Sequence, residues 1–182
     1  MLKDSSAGYG LISIAIHWLS AVLILFLFGL GIYMTGLGYY DDWYHKGPAL
    51  HISLGLIVLL LMLIRIIWRI LNPTPVELSA QKLQRGAAKL VKLGLYGAIF
   101  IVLISGYLIT TAEGKPASLF DWIYIPSLTT LGPNQVDLAG EIHEYLAWGI
   151  IALVVLHVAG ALLHHFVMRD RTLVRMLKPV KK

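Results

Sequence analysis

The chain has 182 residues, 58% of them hydrophobic and only 14% charged, with a mean hydropathy of +0.75, which excludes an ordinary water-soluble domain. Cysteine is absent, and that excludes disulfides, thiolate-bound iron, iron–sulfur clusters and a covalent C-x-x-C-H cofactor tether. The net charge of +5 and the pI near 9.5 do not mark a nucleic-acid binder, because the basic residues flank long apolar runs as membrane anchors do.

A spanning helix needs about 20 apolar residues, rising about 1.5 Å each, to cross a hydrocarbon core of about 30 Å. The first predicted span runs from about Leu11 to Met34; its apolar core is too long for a signal peptide and no A-x-A site follows it, so it is expected to remain in the mature protein. The second runs from about Pro48 to Leu71 and is stopped by Asn72-Pro73-Thr74-Pro75. Residues near Val76 to Arg85 read as a short surface-lying piece, and the third span follows from about Ala87 to Thr111. Gly114-Lys115-Pro116 ends it, and a second surface-lying piece is expected near Ser118 to Ile125. The fourth span is expected from about Gly140 to Met168, with Asp137 as its cap. The runs are continuously apolar, not alternating, so helices are preferred to barrel strands. No internal repeat or second domain is visible. The expected fold is an all-α membrane protein, a single domain over 1–182 forming an up-and-down bundle of four transmembrane helices.

Thirteen of the fifteen Lys and Arg residues fall on the side of the N-terminus, the middle loop and the C-terminus; only Lys46 and Lys115 fall opposite. By the positive-inside rule both termini are cytoplasmic. The outer side carries Asp41, Asp42, Glu113, Asp121, Asp137, Glu141 and Glu144, with Trp43 and Trp122 as interfacial aromatics.

Four histidines lie within the spans, in two layers. His51 and His143 each sit about one turn in from the outer face, so they can meet; His17 and His157 sit about two and three turns in from the cytoplasmic face, so they can also meet. His143 and His157 are fourteen residues apart, within about 40° of one face and about 21 Å along the axis, so one helix supplies a ligand to each layer. Electron-carrying haem iron takes two axial ligands from opposite sides, which facing helices provide. Gly55, Ala147 and Ala161, each one turn from a histidine, leave room for a flat macrocycle, though small residues also serve plain helix packing. For any one histidine, interhelical hydrogen bonding explains its presence about as well. Four at matched depths favour haem ligation, because ionisable groups in a membrane are costly and functional by default. Zinc fits less well, since its ligands would gather around one point.

These residues resemble the bacterial cytochrome b561 family over nearly the whole chain. The likeness rests on Ile14-Ala15-Ile16-His17-Trp18, His51, Arg65 with Arg69 and Asn72-Pro73-Thr74-Pro75, Glu141-Ile142-His143-Glu144, and Leu156-His157 followed by His164-His165. The resemblance implies a four-helix cytochrome holding two haem b groups on His17, His51, His143 and His157 in the bacterial inner membrane, with ubiquinone as electron acceptor and, as in the family's superoxide oxidases, superoxide as donor. The same bundle serves as the cytochrome b subunit of formate dehydrogenases and hydrogenases, so a docked reduced partner is the alternative donor.

With two histidines per iron there is no open position, and electrons are expected to move through the haem edges, from the His51/His143 layer to the His17/His157 layer and then to quinone. His164, seven residues beyond His157, falls on nearly the same face and is a candidate propionate or quinone contact; His165 turns about 80° away and reads as a solvated or lipid-headgroup residue. Arg65 and Arg69 share a face and are candidates for propionate pairing, with snorkelling to the interface as the equal alternative. Trp122 and Lys115 are candidates for the outer electron access point. The acids around them offer superoxide little attraction.

Overall fold

The computed structural model describes residues 1–79 and 81–179. Four helices are long and apolar enough to cross a membrane: α1 (Leu11–Thr35), α2 (Trp43–Leu71), α3 (Lys82–Thr111) and α4 (Pro133–Leu162), the last continued by a π-helical turn, Leu163–Val167. They form a four-span helical membrane bundle, with a small antiparallel hairpin between α3 and α4 made of β1 (Ala117–Leu119) and β2 (Ile123–Ile125).

Three helices begin earlier than their apolar runs. Hydropathy marks only the stretch inside the hydrocarbon, whereas backbone hydrogen bonding continues through the polar interface. Thus α2 starts at Trp43, and Pro48, where the second span was expected to begin, lies inside it. α3 starts at Lys82, so the expected surface-lying piece near Val76 to Arg85 is in part helix; position 80 lies outside the described residues. Asp137 does not cap α4. Pro133 occupies its first position, and the Gln135 side chain reaches back to accept from the Gly132 N–H at 3.0 Å, half of a capping box. The expected surface piece near Ser118 to Ile125 is the hairpin instead, turned by Phe120 and Asp121 with φ of 51° and 58°.

The chain divides into two compact units, each built from parts of all four helices. The first comprises Met1–Ser20, Leu61–Gly97 and the chain from Gly149 onward. Here Asp4 accepts from the Gly10 N–H and from Ser13 Oγ, both at 2.7 Å, and so anchors the start of α1. Gly10 is obligatory, because any Cβ would collide with the Leu2 carbonyl oxygen. Trp68 donates to Ser13 Oγ at 3.0 Å, and Asn72 caps α2 by donating to the Trp68 carbonyl at 2.8 Å. The C-terminal segment is strapped down: Trp18 Nε1 donates to the Met176 carbonyl and Arg175 to that of Val76, both at 2.7 Å. Ile14, Met62 and Ile150 are buried in this unit.

The second unit comprises Ala21–Leu60 and Ala98–Trp148. Leu27, Leu30, Val58 and Ile99 are buried, as are Ser53, Ser105 and Thr111, each with hydrogen-bond partners. Small hydroxyl residues of this kind let spanning helices approach closely. Ser53 clasps the hairpin, donating to the Ser118 carbonyl at 3.3 Å and accepting from the Phe120 N–H at 3.0 Å.

Candidate functional site

In the second unit, α2 supplies His51 and α4 supplies His143, with ring centroids 6.1 Å apart and planes at 62°. His143 is fixed from behind by α3. Its Nδ1 lies 2.9 Å from the Val102 carbonyl and 3.2 Å from Ser105 Oγ. A carbonyl only accepts, so Nδ1 carries the ring proton and Nε2 presents a lone pair. Gly106 makes this seat possible, since a Cβ there would stand 3.0 Å from the imidazole Cε1. His51 Nδ1 is buried with no hydrogen-bond partner among the described residues.

In the first unit, α1 supplies His17 and α4 supplies His157, with centroids 6.3 Å apart and planes at 68°. The Trp18 ring packs edge-on to His17 at 5.3 Å. Arg65 Nη2 lies 2.9 Å from His17 Nδ1, and its guanidinium carbon sits over the Tyr96 ring, 5.5 Å from the centroid. The Tyr96 hydroxyl is itself buried without a partner among the described residues.

The spacing suits one ion held between two imidazoles. A metal–imidazole bond of about 2.0 Å plus about 1.2 Å from nitrogen to ring centre, taken twice, separates the centroids by about 6.4 Å. Both observed distances match this, so the residues present fit a bis-histidine haem. Gly55, one turn from His51, meets nothing within 4 Å, which leaves space beside the pair for a flat group. Among the described residues no three His, Cys, Asp or Glu side chains gather as a conventional metal site requires.

The other sequence candidates are scattered. His164 lies in the π turn, with Nδ1 2.5 Å from Asp170 Oδ2. His165 is half-buried, with Nδ1 buried and without a partner among the described residues. The extra residue of a π turn breaks the 100° step on which both placements were counted. Burial opposes ionisation of Asp170, but hydrogen bonds from Thr172 and His164 outweigh it and hold the carboxyl below its usual range. Arg65 points to His17, whereas Arg69 is exposed beside a small cleft lined by Asp4, Tyr9 and Asn72. Trp122, 87% exposed, stands at the hairpin turn. Lys115 is exposed and bonded to Glu113 at 2.7 Å; that hydrogen bond, then its charge, holds the Glu113 carboxyl below the usual range. Sequence reading missed the contributions of α3, a helix without histidine: the Val102 carbonyl, Ser105, Gly106 and Tyr96. A glycine inside an apolar span was the one available signal.

Two facing imidazole pairs on four spanning helices define a class, the multi-pass membrane proteins equipped for a planar redox cofactor. The chain belongs to the prokaryotic cytochrome b561 family, whose model matches residues 8–179. It is similar to cytochrome b561 homolog 2 of Escherichia coli (strain K12), 46% identical over 93% of this chain and 90% of that one. It is 31% identical to cytochrome b562 of Cereibacter sphaeroides, over 94% of this chain and 96% of that one. It is 28% identical to the probable superoxide oxidase CybB of Yersinia pestis, over 93% and 95%. Membership makes this a bacterial multi-pass membrane protein that binds haem b and transfers electrons.

Proposed function

We propose that the chain is a di-haem oxidoreductase of the bacterial inner membrane that takes electrons from superoxide at its outer face and delivers them to ubiquinone. The observation that carries the reading is the pair of imidazole separations, 6.1 and 6.3 Å, each suited to one iron. His51 with His143, and His17 with His157, would hold the haems through their imidazole nitrogens. When bound, each haem would supply a one-electron carrier.

The remaining work falls to the protein. Val102 and Ser105 hold the His143 ring in the tautomer that ligates. Arg65, Arg69 and His164, at the cytoplasmic end, are propionate or quinone contacts, and Trp122 and Lys115 belong to the outer access point. Two superoxide ions each give up one electron and leave as dioxygen; ubiquinone takes both electrons and two protons to become the quinol. The Yersinia pestis relative's name supports superoxide as donor.

A second reading, an electron-transfer subunit that docks to a dehydrogenase or hydrogenase, is favoured by one feature. The seven acids of the outer side face only Lys46 and Lys115, a field that repels an anion and suits a basic docking partner. The haem-loaded protein, purified alone, separates the two: quinone reduction on addition of superoxide supports the oxidase, and inertness overturns it. Ligand assignment is tested by haem stoichiometry. Alanine at His51 or His143 is expected to remove one haem and alanine at His17 or His157 the other; loss of the same haem from His51→Ala and His17→Ala contradicts the pairing.

A further inference from the structure

The two histidine pairs differ behind the ligand rings. At His143, Nδ1 donates to the Val102 carbonyl at 2.9 Å. At His17, Nδ1 faces the guanidinium of Arg65, also at 2.9 Å. A hydrogen bond to a carbonyl pushes electron density into the ring, makes Nε2 the stronger donor and favours the more oxidised metal. A cation beside the ring does the reverse, because an added electron is stabilised by a nearby positive charge, and more so in a low-dielectric membrane. Both differences favour reduction at the His17/His157 site.

Arg65 is a deliberate placement. It lies within α2, where a charge is costly, and its guanidinium is placed against the His17 ring of α1. The face of Tyr96 holds the guanidinium, and among the described residues no carboxylate lies within ion-pair distance of it. Ligation through Nε2 puts the ring proton on Nδ1 and ends the hydrogen bond, but the charge stays beside the ligand. A haem propionate drawn to Arg65 leaves the sign unchanged, since removing the cation would then expose the propionate's negative charge.

We propose that Arg65, seated on Tyr96, is a positioning residue that lifts the reduction potential of the His17/His157 site above that of the His51/His143 site and so sets the direction of electron flow. This rests on the two-haem reading. The test is a spectroelectrochemical titration of the haem-loaded full chain, with His143→Ala used to isolate the haem on His17 and His157. The isolated haem is expected to match the higher of the two wild-type midpoints. Arg65→Gln is expected to shift its reduction equilibrium at least tenfold towards the oxidised form, about 59 mV for one electron; Arg65→Lys and Tyr96→Leu shift it the same way by less. The proposal is overturned if the isolated haem is the lower-potential one, or if Arg65→Gln leaves it unmoved. Should Arg65→Gln fail to load haem, unmoved midpoints in both Arg65→Lys and Tyr96→Leu overturn it. One haem per wild-type chain would overturn the underlying reading by stoichiometry, whereas two haems with an unresponsive midpoint overturn this inference alone.

Discussion

Gly106 and Gly55 show how single residues on these helices answer to different neighbours. A Cβ on Gly106 would press on His143 at 3.0 to 3.2 Å, so Gly106→Ala must displace the ring or the helix, and overpacking of this kind costs about 1–3 kcal/mol. Gly106→Ala is therefore expected to lower haem occupancy at the His51/His143 site while leaving the other, read as the haem-to-protein ratio with each site isolated by a ligand variant. Gly55 has nothing of the protein within 4 Å. Gly55→Leu is expected to leave helicity by circular dichroism unchanged yet to cut haem content, because on the proposed ligation the open space it would fill belongs to the macrocycle. Equal haem loading in Gly55→Leu and wild type would place the macrocycle elsewhere. The histidines were legible in the sequence because each is a costly group at a countable depth. Gly106, Ser105 and Tyr96 were not, since glycine, serine and tyrosine are common in any spanning helix and reveal a role only when a partner from another helix is placed beside them.

At the scale of elements, the hairpin and the C-terminal strap are held by few bonds. Among the described residues, Ser53 supplies the side-chain hydrogen bonds from α2 to the hairpin, through Ser118 and Phe120. Ser53→Ala removes both bonds, of which the Phe120 end is exposed, at a cost of about 1 kcal/mol each, and is expected to raise hydrogen exchange across residues 117–125; unchanged protection would show that the strand pairing suffices. The hairpin itself was illegible because its left-handed positions hold Phe120 and Asp121, not the glycine or asparagine that signals such a turn. The π turn hid the placement of His164 and His165 for a related reason, as nothing in Leu163-His164-His165-Phe166-Val167 marks an inserted residue. Beyond it, Asp170 is held below its ordinary value near 3.9, so the fold favours its ionised form. That stabilisation is complete above about pH 4 and is lost as pH falls through the lower folded-state value. The protection factor of residues 169–177 against hydrogen exchange, referred to the intrinsic rate at each pH, is expected to be high at neutral pH and to fall in acid, with Asp170→Asn lowering it at neutral pH already. A pH-independent protection factor in the wild type would remove Asp170 from the clasp.

For the molecule as a whole, direction is a matter of charge. The proposed path from an outer donor to quinone requires that the chain insert one way round. The thirteen bases on the side of the termini and middle loop, against Lys46 near the start of α2 and Lys115 after α3, are the sequence's statement of that orientation. The seven acids on the opposite side, three of them within α4, add little to the rule, which reads Lys and Arg and not net charge. Because the protein has no cysteine, single introduced thiols report cleanly. Thr129, between the hairpin and α4, and Lys178, after the last helical turn, are both exposed. In intact spheroplasts, Thr129→Cys is expected to react with a membrane-impermeant maleimide, and Lys178→Cys only after the membrane is opened. The opposite pattern would put the acidic loops in the cytoplasm, where an extracytoplasmic donor could not reach the side that carries Trp122. Labelling of both positions in intact spheroplasts would mean mixed insertion, which a one-way electron path does not permit.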